Sequence, residues 1–406
     1  MKRSCSLVII LFLVCQIPAQ ESIERPHLNR PRSRRTMIPA PSYPATADSD
    51  GNHVNAHGGC IIAYGNEWLW YGEARPLHGF TSEGVSLYTA PMGTQPISVA
   101  DSLAASPLNL HWKNRGLVLT VVDEEGSPIE RGCIIERPKV IYNERTKQFV
   151  MLFHSELKGH GYDAAQTGFA TSDSPYGPFR LHHVQRPNSG RWPADFSEED
   201  IKRAQALAPE DFKEWWTPTW HSAVEQGLFL ARDLKSGQMS RDMTVFVDDD
   251  GTAWHIYSSE ENLTIQAAEL TPDYLGYTGR YYRIAPGGQN EAPCLLKHGD
   301  TYWLICSGCT GWTPNEARMF SAKSIQGPWM QHPSPMRGPD ADRTFEAQGT
   351  WIWAQPSDSS MDSYSFFFMA DVWMPRSLAI SRHLCLPIAF EEGMPVIRKQ
   401  ARTSLE

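Results

Sequence analysis

The sequence has no excess of basic residues. Across 406 residues, 37 Lys and Arg face 46 Asp and Glu, a formal charge of −9. A nucleic-acid partner is thereby disfavoured, because neutralising phosphates needs a basic face. No apolar run reaches the roughly 20 residues that span a bilayer, so membrane insertion is not expected. P-loop, GxSxG elbow and HExxH helix are all missing, which leaves the usual serine and zinc hydrolytic routes without support. Cysteine is sparse, and Cys306-x-x-Cys309 has no second Cys or His pair nearby to complete a zinc site. No EF-hand-like loop is present either, and Asp248 to Gly251 reads as a turn. No cofactor or metal is therefore expected. A structural Ca²⁺ remains compatible with the acidic residues described below, without being specified by them.

What is present begins with an export signal. Lys2 and Arg3 precede an unbroken apolar run from Leu7 to Val14, and Gln16 to Gln20 is a plausible cleavage region. Residues 1–20 are read as a signal peptide of a secreted or periplasmic protein, too short for an anchor. Residues 21–50, rich in Pro, Arg and Ser, are read as a flexible leader, and 398–406 as a tail. Removal of Cys5 and Cys15 leaves Cys60, Cys133, Cys294, Cys306, Cys309 and Cys385, which are read as buried free thiols.

The 30 Gly, 30 Pro and 11% aromatic residues favour strands joined by tight turns. A hairpin pattern recurs five times: Gly59 to Tyr71, Pro138 to His154, Met243 to Ser258, Ala292 to Ser307 and Gly349 to Ala370. Each places turn residues between β-branched and aromatic runs. A further strand-like run follows each: Gly84 to Thr89, Gly168 to Ser172, Thr264 to Leu270, Ala317 to Ala322 and Ser377 to Leu384. The phrases Ser174-Pro175-Tyr176-Gly177-Pro178-Phe179 and Ser324-Ile325-Gln326-Gly327-Pro328-Trp329 fall at the same point of two units. A β-sandwich has no reason to repeat such a phrase. Repeated all-strand units predict an all-β, five-bladed β-propeller over residues 51–397. One insertion, about 185–226 between blades 2 and 3, carries a capping-box start at Ser197 to Asp200. Helices are expected at Ile201 to Leu207 and Phe212 to Trp216. Its Trp215, Trp216 and Trp220 either flank the ligand cleft or decorate the surface.

In a propeller the innermost strands begin around one funnel. The residues at those positions are His57, Glu136, Asp242, Glu291 and Gln348. Three carboxylates converging would shift one another's pKa and suit proton transfer, or would bind a structural cation. Trp70, Tyr71, Trp312 and Trp373 are placed on the same rim, where flat apolar faces suit a sugar ring.

Several phrases resemble glycoside hydrolase family 43: His57-Gly58-Gly59, Glu136-Arg137-Pro138-Lys139-Val140, Ser240-Arg241-Asp242-Met243-Thr244, Tyr257 to Asn262, Glu291-Ala292-Pro293 and Ser307 to Trp312. The nearest branch resembles the galactan 1,3-β-galactosidases. The resemblance implies a glycosidase acting by inversion, with an oligo- or polysaccharide as its partner, and a monomer is expected. It implies Glu291 as general acid, Asp242 as the carboxylate that orients it, and Glu136 as a holder of sugar hydroxyls. His57, Glu73, Tyr162, Asn262, Thr310 and Trp312 join the substrate-binding set. Most of the family has an Asp at the start of the first blade, whereas this sequence reads Asn55-Ala56-His57 there. The branch shares that absence, and Gln348 resembles the glutamine thought to position water. His57 and Glu136 are rival bases. An arabinofuranosidase or xylosidase of the same fold, or a non-catalytic sugar-binding propeller, are the competing readings.

Overall fold

The computed structural model describes residues 43, 45–93, 108–356 and 364–399. The expected signal peptide, most of the expected leader and all but the first two residues of the expected tail lie outside them. Five sheets, antiparallel but for one short edge strand in the last, follow one another along the chain. Blade 1 holds β1 (His57–Tyr64), β2 (Glu67–Ala74), β3 (Gly84–Pro91) and β4 (Lys113–Thr120). Blade 2 holds β5 (Ile134–Asn143), β6 (Gln148–Glu156), β7 (Gln166–Ser172) and β8 (Arg180–Gln185). Blade 3 holds β9 (Met243–Val247), β10 (Ala253–Ser259), β11 (Thr264–Leu270) and β12 (Tyr277–Ile284). Blade 4 holds β13 (Asn290–His298), β14 (Thr301–Gly308), β15 (Arg318–Ala322) and β16 (Met330–His332). Blade 5 runs β18 (Gln348–Pro356), β19 (Tyr364–Val372), β20 (Arg382–Glu391) and β21 (Met394–Arg398), and the short β17 (Met336–Arg337) joins its outer edge in parallel with β21.

The fold is the five-bladed propeller that the hairpins predict. Its stability comes from burying both faces of each sheet, because successive strand residues point opposite ways. Along β10, Ile256 packs into a cluster shared with blade 4 and Tyr257 into one shared with blade 2. Five such clusters fill the gaps around the ring, including the one between blades 5 and 1. Trp70 and Tyr71 belong to two of these clusters and are almost wholly buried. They are core, not rim: as neighbours on one strand they serve opposite interfaces. The six described cysteines are free, and all but Cys309 are buried.

Some boundaries shift. Tyr43, Thr46 and Asp48, placed in the leader by composition, are buried, and Tyr43 donates a hydrogen bond to the Phe345 carbonyl at 2.8 Å. The strand expected from Ser377 begins at Arg382, after a short 3-10 turn at Leu378–Ile380. In the insertion, α1 (Glu198–Gln205) starts on the expected capping box between Ser197 and Asp200. Phe212 to Trp216 is not helical. The next helix, α2 (Pro218–Glu225), begins where Thr217 caps it and Pro218 takes the first position, which needs no N–H donor. A third helix, α3 (Leu228–Asp233), follows outside the expected limits. Trp220 is buried, while Trp215 and Trp216 are exposed. Among the described residues, no helix is long and apolar enough to cross a membrane.

One device recurs at the funnel. The innermost strands of blades 1, 2, 4 and 5 each break register near their start, at His57/Cys60, Glu136/Lys139, Glu291/Cys294 and Gly349/Trp351. Such a bulge bends the strand and re-aims a side chain. In three of them the residue after the aimed one has a left-handed backbone: Gly58 (φ 58°), Arg137 (φ 52°) and Ala292 (φ 52°).

Candidate active site

The bulges of blades 2 and 4 aim Glu136 and Glu291 towards the same centre, and Asp242 arrives just ahead of β9. Arg137, next to Glu136, ties the blades together. Its guanidinium donates to the Asp242 carboxylate (3.0 Å), the Gln348 side-chain oxygen (2.6 Å) and the Gly349 carbonyl (2.8 Å). It also lies 5.7 Å from the Trp373 ring centroid, at cation–π range.

Glu291 accepts a hydrogen bond from Asn262 Nδ2 at 2.8 Å, and the Cys309 thiol also reaches its carboxyl. Burial raises its pKa most, and the negative charge of Asp242 adds to that. Asn262, Arg137 and Cys309 pull the other way, and the balance stands at about 7. Glu136 behaves oppositely. Burial alone would raise it, but the hydrogen bond from His154, the charge of Arg75 and the Tyr162 hydroxyl hold its carboxyl well below the usual range. Tyr162 donates to Glu136 Oε1 at 2.8 Å, and Arg75 reaches the same oxygen at 2.7 Å. His154 lies between Glu136 (3.1 Å) and Glu156 (2.9 Å). Burial lowers its pKa, but the two carboxylates outweigh this and lift it to about 9. At neutral pH it is therefore an imidazolium, donating from both ring nitrogens. The two carboxyls on either side of Asp242 are thus driven apart in pKa by their surroundings, the pattern that separates an acid from an ionised partner.

Gln348 is fixed by its neighbours. Its oxygen accepts from Arg137 and from Trp373 Nε1 (2.9 Å), both donor-only groups, while its Nε2 donates to Ser307 Oγ at 3.1 Å. Ser307 in turn donates to the Glu291 backbone carbonyl at 3.4 Å. Two donors on the amide oxygen leave no acceptor there for an imidic O–H. Beside it, Ser307, Trp312, Asn315, Gln348 and Trp373 line a cavity, with the Trp312 and Trp373 rings edge-on at 5.1 Å. Thr310 is on the same exposed loop, its hydroxyl bonded to the Thr313 carbonyl and to Asn315.

Glu136, Asp242, Glu291, Gln348, Tyr162 and Asn262 are thus joined in one network, with Trp312 and Thr310 at its edge. His57 and Glu73 lie beneath it, with at most 1% of their surface exposed. Their strands pair them directly, His57 opposite Glu73. Glu73 is neutralised by Arg75, and His57 Nδ1 lies 3.4 Å from Asp371. Closed off in this way, His57 is not placed to take a proton from water, and Glu73 is not placed to touch sugar. Arg75, Arg137 and His154 were not read from the sequence. The adjacent pair Glu136-Arg137, ahead of an apolar strand, was the available signal.

Donor atoms of Glu136, His154 and Asp242 lie within 4.8 Å of one another. Arg75 and Arg137 already balance these carboxylates, so the set does not fit a cation. The donors of His57, Asp371 and His383 are equally close and wholly buried. There Asp371 is held below its usual range: burial opposes its ionisation, but the two histidines and the Gly58 N–H outweigh it.

The pattern of the glycosyl hydrolases family 43 matches residues 204–364. A solved family 43 β-1,3-galactosidase with galactodeoxynojirimycin is 49% identical, with a TM-score of 0.79, covering 89% of this chain and 99% of that one. An exo-β-1,3-galactanase from Clostridium thermocellum is 29% identical, with a TM-score of 0.65, covering 87% of this chain and 63% of that one. One from Phanerochaete chrysosporium, solved with β-1,3-galactotriose, is 27% identical, with a TM-score of 0.64, covering 88% and 66%. No match is found among curated proteins.

Proposed function

This chain belongs to glycosyl hydrolase family 43 and is a glycosidase of the β-1,3-galactosidase type, and from that premise we propose that it is an exported, exo-acting enzyme that cleaves β-1,3-galactan with inversion. The observation that carries the mechanism is the carboxyl of Glu291, raised to about 7 by burial and by the neighbouring Asp242, while the carboxyl of Glu136 is held well below the usual range. Glu291 protonates the oxygen that leaves. Asp242 keeps that proton on by its charge. Glu136 and Tyr162 grip the hydroxyls of the sugar being released. Gln348 orients the attacking water; as the new C–O bond forms and the glycosidic C–O bond breaks, the leaving oxygen takes the Glu291 proton, the proton shed by the water passes to solvent, and Glu291 regains a proton from solvent. Trp312 and Trp373 supply apolar faces for the ring. The N-terminal signal supports export, and the network needs no bound ion to balance its charge.

The test is incubation with β-1,3-galactan, aryl arabinofuranoside and aryl xyloside, with the product anomer followed by NMR. Galactose appearing first as the α anomer is the expected result. First appearance of the β anomer, or preference for either aryl substrate, would overturn the proposal. A general acid works only while protonated, so kcat/KM should fall about tenfold per pH unit above the Glu291 pKa, near 7. A flat alkaline limb in a pH–rate profile would remove Glu291 from the role.

A further inference from the structure

Asn262, which bonds the Glu291 carboxyl, ends an unusual stretch of backbone. Glu260, Glu261 and Asn262 have φ of 53°, 59° and 62° in succession. L residues enter this left-handed region singly and rarely, Asn most readily and Glu poorly. Three in a row persist only where the surroundings dictate them.

The helical insertion supplies much of those surroundings. Arg283 on β12 donates to both Glu260 carboxylate oxygens, at 2.8 and 2.6 Å. The same guanidinium donates to the Glu225 and Val224 carbonyls at the end of α2, at 2.7 and 2.8 Å. One planar fork thus fastens the loop to the insertion. The Glu260 side chain is fully buried, and Gln266 supplies a further donor at 3.1 Å. Glu261 is held by Arg232 of α3 at 2.9 Å. Leu263, immediately after Asn262, is buried among Trp220, Ala223, Val224, Leu228 and Phe229 of α2 and α3. The residues on both sides of Asn262 are therefore anchored to the insertion. Its backbone carbonyl accepts from Cys309, the thiol that also reaches Glu291.

We infer that the insertion is a brace for the proton donor: through Arg283, Arg232 and Leu263 it holds the left-handed run 260–262, and so seats Asn262 on Glu291. These three are positioning residues, acting through Asn262. The inference rests on the reading of Glu291 as the acid.

The test compares two substrates in the full chain. β-1,3-Galactobiose needs its leaving oxygen protonated, whereas 2,4-dinitrophenyl β-galactoside does not. Arg232→Ala, Leu263→Ala and Arg283→Ala should each lower kcat on galactobiose about tenfold or more, with KM changed less than about twofold and dinitrophenyl turnover less than about threefold. Arg232→Lys should restore most of the loss. Glu291→Gln serves as the reference and should show the same selectivity with a larger amplitude. Arg232 is partly exposed, so its variant carries the test if Arg283→Ala does not fold. Equal loss on both substrates, or no loss on either, while Glu291→Gln remains selective would overturn the brace. A Glu291→Gln variant that loses both substrates equally would instead remove the acid reading, and the brace with it.

Discussion

Glu291→Gln should lower hydrolysis of β-1,3-galactan by about 10³-fold or more while sugar binding stays within a fewfold of wild type. The substitution keeps size and shape, and its amide oxygen can still accept from Asn262 Nδ2. What disappears is the transferable proton, which is needed only as the glycosidic bond breaks. The loss should therefore fall on kcat and leave ground-state binding nearly intact. Isothermal titration with galactobiose, alongside initial rates on galactan, separates the two. If Glu291 served only to fill buried space, the variant would turn over at close to the wild-type rate, and that result would end the mechanistic reading. The alkaline limb near pH 7 should vanish in the same variant, since the group that titrates there is gone.

Arg137→Met is expected to damage both stability and catalysis. The guanidinium spans an acid from blade 3 and a side chain and carbonyl from blade 5. Truncating one partner of a buried ion pair typically costs about 3–5 kcal/mol, because the other charge is left desolvated and alone. Burial alone would lower the pKa of Arg137, yet Asp242, Glu73, Asp371 and Glu136 together raise it, so several acids depend on this one cation. Asp242 and Gln348 would lose their common anchor, and misplacing groups of this kind by about an ångström costs about 10²-fold in rate. Urea melts and kcat/KM together check this. Arg137→Lys should lie between, because an ammonium cannot meet three acceptors in a planar arrangement. A shift below about 1 kcal/mol with rates within fivefold would show that the crossing point of the blades lies elsewhere.

The parts of the fold legible in the sequence were those with strong local signatures. The hairpins were visible because their strands are apolar on both sides and their turns carry Gly, Asn and Asp, as at Gly65-Asn66 and His298-Gly299-Asp300. The outermost strands were not. β8 reads RLHHVQ and β16 reads MQH, and neither is fully buried at any position, so no burial pattern marks them. At the site, the acids and Gln348 could be located because they open successive inner strands. The alternation of strand faces was the weak point for Trp70 and Tyr71. For His57 and Glu73 it was depth: a polar residue at a strand start reads the same whether it meets solvent or a buried counter-charge. Arg137 gives no distinct signal for the converse reason, since a basic residue beside an acid reads as a solvated surface pair, and His154, between Phe153 and Ser155 on a strand, has no acid next to it to mark a buried charge.

Each sheet of the ring is drawn from one contiguous stretch of chain, β17 included, so among the described residues no backbone ladder joins the first blade to the last. Blades 1 and 5 meet through side chains, as where Thr350 Oγ1 donates to the Gly59 carbonyl and Trp351 Nε1 to that of Ile61. The ring is thus a cycle of interchangeable starting points. Moving the polypeptide's ends to the connection between any two neighbouring blades would keep every inter-strand ladder of the described residues whole, and a centre that draws on all five blades, Arg75 after β2 included, would not register where the circle had been cut.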